Sequence, residues 1–404
     1  MHADVVVVGG GPAGAAAAIG LARAGRDVVL VDKATFPRDK CCGDGLTAGA
    51  LRRLEALGLR AAAVDSWHVV EDVYVRSPSG REVVFPLPRD GGVYAAIARR
   101  ADLDAALLDV ARDAGVKVHE GCALTGAVAF DDRVELAVDG VDGVVRARYA
   151  VGADGIWSPL RKAMGAAAPG ETYLGEWHAF RQYFRGVSEA GRQLWVWFEP
   201  DVLPGYVWSF PLPDGRANVG FGILRRPDEP TKSMKAMWPT LLARPHIAAV
   251  LGACASVEAA HKAWPIPAGL DGAPLTAGGG RVLFVGDAAR AADPLTGEGI
   301  GQALETAELA VDAIIAAGPT HPAHAAAMYD HAVGGGLAID NRLAALLSRA
   351  ISHRKGARGA IRIAGSTDWT RRNFARWLFE DYPRAVLATP HRWPQLMRRS
   401  RPAQ

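Results

Sequence analysis

Three groups of residues in this chain have the types and spacing to do chemistry. One is Gly9-Gly10-Gly11-Pro12-Ala13-Gly14, followed at a distance by Asp32. A second is Lys40-Cys41-Cys42-Gly43-Asp44-Gly45, two adjacent thiols between a base and a Gly-Asp-Gly turn. The third is Gly286-Asp287, with Asp293-Pro294 and Gly297-Glu298-Gly299-Ile300-Gly301 behind it. Glycines ahead of a helix N-terminus leave backbone N–H groups free to bind an anion, and an acid at a strand end can accept from a ribose hydroxyl. Two such blocks in one chain suit a long ligand bearing both a pyrophosphate and a polyol chain, which favours FAD over NAD. The thiols read in two ways: as small hydrophobes that happen to be buried, or as a group placed over the cofactor.

The elements that must position these groups follow from hydrophobic periodicity. Val5-Val6-Val7-Val8 reads as a buried strand and the alanine-rich run after Gly14 as a helix, with a second strand, Val28-Val29-Leu30-Val31, ending at Asp32. Gly9 would make the turn, Gly11 would admit a pyrophosphate, and Gly14 would let the helix pack close on the strand. Segments 69–75 and 81–85 flank Ser77-Pro78-Ser79-Gly80 as a hairpin. A helix over 103–115 follows, with Leu103, Leu107, Leu108 and Ala111 as its apolar stripe, then strands at 116–119, 123–130, 134–138 and 149–153. Residues 177–263 turn aromatic and β-branched and read as an antiparallel sheet crossed by a helix over 230–242. Trp195, Trp197, Tyr206, Trp208 and Phe210 are its aromatic complement, each read as core before ligand wall. A strand over 280–285 brings the chain back to Gly286-Asp287, and helices fill the remainder.

The expected fold is α/β: a Rossmann-type FAD-binding domain with an inserted antiparallel β-sheet substrate domain and a C-terminal helical region. Its boundaries are 1–65, 96–165 and 276–335 for the discontinuous FAD-binding domain, 66–95 and 166–275 for the substrate domain, and 336–404 for the helical region.

A chain of 404 residues, 50% hydrophobic and 22% charged, is globular in composition, and a net charge of +3 makes no whole-protein case for nucleic acid. Cys41, Cys42, Cys122 and Cys254 form no CxxC pair, so neither a metal site nor a disulfide framework is expected, and a reducing compartment fits. The strand that opens the chain leaves no room for a signal segment, and no apolar run is long enough to span a bilayer. The expectation is a cytoplasmic protein able to touch a membrane surface. That contact would run through the last segment, where fourteen basic residues from Arg342 to Arg401 face Asp368, Glu380 and Asp381, with Trp369, Phe374, Trp377, Phe379 and Trp393 interleaved. A solvated helical face is the plainer reading of the same charges.

Taken together, Gly9 to Gly14, the run Pro37-Arg38-Asp39-Lys40-x-Cys42-Gly43-Asp44-Gly45-Leu46, Gly152-Ala153-Asp154-Gly155, Tyr206-x-Trp208-x-Phe210-Pro211 and the Gly286 to Gly301 block resemble the glutathione-reductase-type FAD enzymes with a hydroxylase-like layout. Within them, the cysteine and aromatic runs are similar to the geranylgeranyl reductase family. Carried over position by position, the resemblance implies that Gly9, Gly11, Pro12, Ala13, Gly14, Asp32 and Lys33 hold the ADP half of FAD. Arg100 and Asp154 would join the cofactor contacts. Gly286, Asp287, Pro294, Gly297, Gly299, Ile300 and Gly301 would hold the ribityl, pyrophosphate and flavin portions. Cys42 and Gly43 would face the isoalloxazine ring, and Tyr206 and Trp208 would line an isoprenoid tunnel. The chain departs from the family pattern in two places. Leu203 stands where the proline opening the aromatic motif belongs, with Pro204 one place on, and Cys41 duplicates the thiol.

The resemblance implies reduction of carbon–carbon double bonds in a geranylgeranyl or polyprenyl chain, with Cys42 as proton donor or relay. That role needs a protonated thiol, whereas the neighbouring Lys40 should lower its pKa. Gly278-Gly279-Gly280 precedes its strand and reads as a turn, so no NADPH domain is expected. Electrons would come from an external donor: NADPH, ferredoxin or a reduced flavin. The alternatives are an FAD-dependent monooxygenase or halogenase acting on an aromatic substrate, and an electron-transfer flavoprotein docking on membrane quinones.

Overall fold

A computed structural model describes residues 1–89, 92–167, 175–225, 232–386, 389 and 393. Val5–Val8, four β-branched residues without polar alternation, is buried throughout, as a strand covered on both faces must be. It lies mid-sheet with Tyr149–Gly152 on one side and Val28–Val31 on the other, both parallel to it. Lys117–His119 extends the sheet beyond Val28–Val31, and Val282–Phe284 extends it beyond Tyr149–Gly152. Thr276–Ala277 closes that edge antiparallel.

The helix Pro12–Arg23 begins at the C-terminal end of the Val5–Val8 strand. Its approach to the sheet depends on missing side chains. Gly9 has φ +107°, and a Cβ on Gly14 would overlap the Gly9 carbonyl and come within 3.2 Å of Ala153 Cβ. On its outer face the helix packs against the long helix Ile300–Ala317, where Gly20 lies over Val311.

A second, larger sheet carries the aromatic residues. Its order runs Ser256–Val257, Trp177–Arg185, Arg216–Leu224, Tyr206–Leu212, Leu194–Trp197, Asp72–Arg76 and Glu82–Pro86, with Lys262–Ile266 also paired to Trp177–Arg185. The expected antiparallel pattern holds except at one junction, where Leu194–Trp197 runs parallel to Asp72–Arg76. The hairpin leaves the first sheet on a separate excursion of the chain, so nothing obliges it to arrive antiparallel.

Alternation divides the aromatics. Tyr206, Trp208 and Phe210 share one face, while Val207 on the other joins a core with Trp195 and Trp197, whose rings stack 5.6 Å apart. On the strand opposite, Gly220 lies beneath the Trp208 ring and leaves it room. A small third sheet, unforeseen from sequence, joins Gly45–Thr47 and His68–Val69 to Ala95–Ile97, so the Gly-Asp-Gly turn after Cys42 feeds a strand.

Helices Pro322–Gly335, Leu337–Ile351, Arg354–Ala364 and Asp368–Leu378 follow. Not all of the basic residues counted in this segment are solvated, because several of its charges bond inward. Arg376 pairs with Asp381 at 2.7 Å, Asp381 with Arg52 at 2.9 Å, and Arg384 with Asp293 at 2.6 Å, the last two side chains being 2% exposed. Pro230, Pro390, Arg392, Pro394, Arg398, Arg399 and Arg401 lie outside the described residues. Among the described residues, no helix is long and apolar enough to cross a membrane.

Gly14→Ala should cost about 1–3 kcal/mol through forced overpacking and weaken FAD retention, read by denaturant titration with bound-flavin absorbance. Wild-type stability and full flavin content in that variant would contradict the packing described.

Candidate active site

A cavity of about 580 Å³ runs between the two sheets. At one end it is bounded by Gly9, Gly11, Pro12, Ala13, Asp32 and Lys33; further along by Asp287, Gly297, Gly299 and Ile300; and on the far wall by Cys42, Tyr206, Trp208, Phe210 and Trp264. Two helices, Pro12–Arg23 and Ile300–Ala317, begin at this cavity; the first has neither a capping side chain nor an acid in its first turn, while the Glu298 carboxyl covers the start of the second by accepting from the Gly301 N–H. The leading N–H groups of Pro12–Arg23 are therefore available to an anion.

The described residues fit FAD. A side chain on Gly11 would fall 3.4 Å from an Arg38 guanidinium nitrogen and 3.7 Å from one of Arg100, so that glycine opens a gap between the uncapped helix and two cations. Both guanidiniums are held by the buried Asp104, Arg100 through two bonds of 2.8 Å and Arg38 at 3.2 Å. Asp32 is fixed at the strand end by the N–H groups of Gly10 (2.6 Å) and Ala34 (2.7 Å). Each oxygen keeps a lone pair for a ribose hydroxyl. Asp287 lines the middle of the cavity with Lys40 Nζ 3.6 Å away, and Lys40 lies 4.7 Å over the Trp264 ring.

Not every expected cofactor residue reaches the cavity. Gly14, Gly286, Pro294 and Gly301 stand behind its wall: Gly14 packs on Gly9, Gly286 on Ala13 and Ala303, and Gly301 against the carboxylates of Glu298 and Glu380. Asp154 borders the cavity, but its carboxylate accepts from Ser158 Oγ (2.5 Å) and Leu160 N–H (2.8 Å) and so caps the short helix Pro159–Ala163.

The thiol loop is held against the aromatic sheet by buried polar groups. Asn218 donates to the Cys42 carbonyl and to Asp44 Oδ2, each at 2.8 Å, and accepts from the Trp208 indole at 3.0 Å. Tyr183 donates its hydroxyl to the same Asp44 oxygen at 2.7 Å, and its ring lies between the guanidiniums of Arg99 and Arg181. Asp44 is fully buried, and its Oδ1 has no hydrogen-bond partner among the described residues.

The expectation that Lys40 would lower the thiol pKa is overturned. Burial pushes Cys42 up to about 11 and Cys41 up to about 12, so both thiols stay protonated at neutral pH. Burial also raises Tyr206, whose hydroxyl donates to the Thr296 carbonyl. This wall of the site therefore holds protons.

Residues that sequence reasoning passed over include Arg38, Tyr183, Asn218, Trp264 and the carboxyl pair Glu298 and Glu380. Arg38 stood in a quoted motif without a role. Asn218 and Tyr183 carry no local signal, being one polar position and one aromatic in strands that otherwise read as core.

Residues 2–252 match the model of the FAD binding domain family. The chain is 38% identical over 320 residues to a menaquinone reductase of Mycobacterium tuberculosis, covering 77% of this chain and 76% of that protein. It is 34% identical to digeranylgeranylglycerophospholipid reductase 2 of Methanopyrus kandleri, with 77% and 76% covered. A geranylgeranyl bacteriochlorophyll reductase-like protein of Thermoplasma acidophilum has the same fold, with a TM-score of 0.78, 19% identity, and 96% and 99% of the two chains covered.

Asp44 generates a pH signature. Burial lifts its carboxyl to about 6, against about 3.9 in an unfolded chain. Its contribution to stability is fully present below pH ~4 and is lost as pH rises through ~6, a change on the order of 3 kcal/mol. Asp44→Asn should flatten this part of the stability curve, measured by urea unfolding between pH 4 and 7. A curve with wild-type slope would rule out a strained carboxylate here.

Proposed function

The chain belongs to the FAD-binding-domain flavoproteins, in the geranylgeranyl reductase family, and from that premise we propose that it reduces carbon–carbon double bonds in the isoprenoid chain of a lipid. It is an FAD-dependent oxidoreductase, and its relatives imply a hydrophobic substrate and a redox partner. The observation that carries the finer reading is the far wall of the cavity. There a half-buried thiol held in its protonated form, Cys42, stands with Tyr206, Trp208 and Phe210 on the side facing the cofactor cradle. An isolated alkene has no polar handle, so its reduction needs a dry apolar slot and an acid already in place.

Bound and reduced, FAD would supply the hydride. The residues of this chain do the rest. Arg38, Arg100 and the N-terminus of Pro12–Arg23 would hold the pyrophosphate, and Asp32 the ribose. Tyr206 and Trp208 would lie along the isoprenoid chain and exclude water. Cys42 would offer its proton to the alkene carbon that does not receive hydride. The electrons would arrive from an external donor, with NADPH, ferredoxin and a reduced flavin all consistent with the chain.

Menaquinone and the digeranylgeranyl phospholipid named for the relatives share a polyisoprenoid chain, and this supports the choice of substrate class. The name menaquinone reductase also favours a second reading, reduction of a quinone ring, in which the chain would leave the protein with its double bonds intact. Anaerobic mixing of the reduced protein with a polyprenyl lipid lacking a quinone separates the two. Alkene reduction predicts return of oxidised-flavin absorbance in wild type and a loss of about a hundredfold or more in the rate with Cys42→Ser, with flavin content unchanged. Reoxidation by the quinone alone would favour ring chemistry, and an unaffected Cys42→Ser would remove the thiol from the mechanism.

A lipid substrate also has to be collected from somewhere. Ile363 and Trp369, each 72% exposed, and Leu346, 59% exposed, stand on the C-terminal helices among Arg358, Arg362, Arg371 and Arg372. Exposed apolar side chains in a segment rich in cations suit an anionic lipid surface, each cation contributing about 1 kcal/mol near such a membrane. The double variant Ile363→Glu, Trp369→Glu should lose sedimentation with phosphatidylglycerol vesicles while keeping its flavin. Equal sedimentation of variant and wild type would dismiss this surface.

A further inference from the structure

We infer that Glu298 is the proton reservoir of the site, the acid that supplies the proton consumed in each reduction; the inference rests on the alkene-reduction reading. Glu298 lines the cavity at the start of the Ile300–Ala317 helix, where its Oε1 accepts from the Gly301 N–H at 2.8 Å. Around it the charges do not balance. Asp293, Glu298 and Glu380 share one buried region; Arg53, paired with Glu305 and Glu308, acts on Glu380 from outside, and the cation bonded among the three is Arg384.

That guanidinium is already committed. Its Nε lies 2.6 Å from Asp293 Oδ2, and its Nη2 lies 3.4 Å from Glu380 Oε1. Asp293 further accepts from the N–H groups of Leu295 and Thr296, and Glu380 from Thr47 Oγ1 at 3.1 Å and Gln302 Nε2 at 2.7 Å. Of the three carboxyls, Glu298 is the one without a cationic partner among the described residues. Backbone N–H groups at the helix start favour its ionised form, but burial and the neighbouring carboxyls outweigh them, so it keeps its proton.

Burial and the like charge of Glu380 both hold Glu298 well above the usual carboxylate range. The groups facing it are Glu380 from the C-terminal segment, Asp293 with Arg384 behind it, and Cys42 and Tyr206 across the cavity. Both of the latter are protonated and less acidic than a carboxyl.

This order of acidity assigns the roles. Cys42, raised to about 11, can pass a proton on, but a buried thiolate left behind would be costly. In the proposed step the alkene π pair takes the Cys42 S–H proton to form one C–H bond, and the hydride that FAD, bound and reduced, would supply completes the other carbon. The Glu298 O–H bond breaks as the thiol is restored, leaving a carboxylate that solvent reprotonates. The lipid gains two hydrogens, the flavin is oxidised, and Glu298 gives up one proton per double bond.

The test is infrared spectroscopy of the FAD-loaded protein titrated across pH, reading the carbonyl band of protonated carboxyls, alongside anaerobic turnover. Wild type should show a band at pH 7 that Glu298→Gln lacks, and turnover in that variant should fall about a hundredfold with flavin content and reducibility retained. In Glu380→Gln, removal of the like charge should move loss of the band to lower pH; this second variant carries the test if Glu298→Gln folds poorly. A band unchanged in Glu298→Gln, turnover within about twofold of wild type, or an unshifted titration in Glu380→Gln overturns the assignment. Failure of wild type to reduce any prenyl chain would sink the parent reading instead, and that shows before any variant is made.

Discussion

The site depends on one side-chain amide. Asn218 belongs to the aromatic sheet, and Cys42 belongs to a loop leaving the cofactor-binding strands. The amide of Asn218 joins them, holding the Cys42 carbonyl, the Asp44 carboxylate and the Trp208 indole at once. In a fully buried position these bonds have no competing water, so they fix geometry more firmly than surface contacts could. The thiol, the aromatic wall and the cofactor cradle therefore come to one cavity because a few polar groups are satisfied between the sheets.

The same burial explains the electrostatics. Cys42, Cys41, Tyr206, Asp44, Glu298 and Glu380 are all shifted toward their protonated forms, with desolvation as the leading cause for each. The phosphate end shows the opposite design, with Arg38, Arg100 and the uncapped start of Pro12–Arg23 gathered where an anion would lie. One cavity thus has a cationic end that suits a dinucleotide and a neutral, proton-holding wall that suits a substrate without charge. Oxygen chemistry on an aromatic ring is served less directly by such a wall, whereas protonation of an alkene requires it.

Much of this was legible in the sequence because it is local. Val5 to Val8, the glycines up to Gly14 and Asp32 form a contiguous strand, turn, helix and strand, and the turn read at Gly9 and the close packing read at Gly14 are both required by the backbone here. The alternation of Tyr206, Trp208 and Phe210 was equally readable, although which tryptophans face the cavity was not, because Trp195 and Trp197 show the same alternation on a neighbouring strand. What could not be read is long-range. Asn218 acquires its role from residues 176 positions away, and Glu380 meets Thr47 across 333. The charge of Arg384 counted as part of a basic tail until its partner Asp293 was in view. The thiol pKa was expected to fall because a lysine stands beside it in sequence; in space, desolvation outweighs every nearby cation.

The central claim is that the protein adds two hydrogens across an isoprenoid double bond, with protons drawn from the wall of this cavity. A single anaerobic turnover in deuterated water, with the lipid analysed by mass spectrometry, tests it most directly. Solvent-exchanged groups supply both hydrogens, so the account predicts a product heavier by two deuteriums, one on each former alkene carbon. A lipid recovered with its double bonds intact, or product formed only when oxygen is admitted, would contradict it.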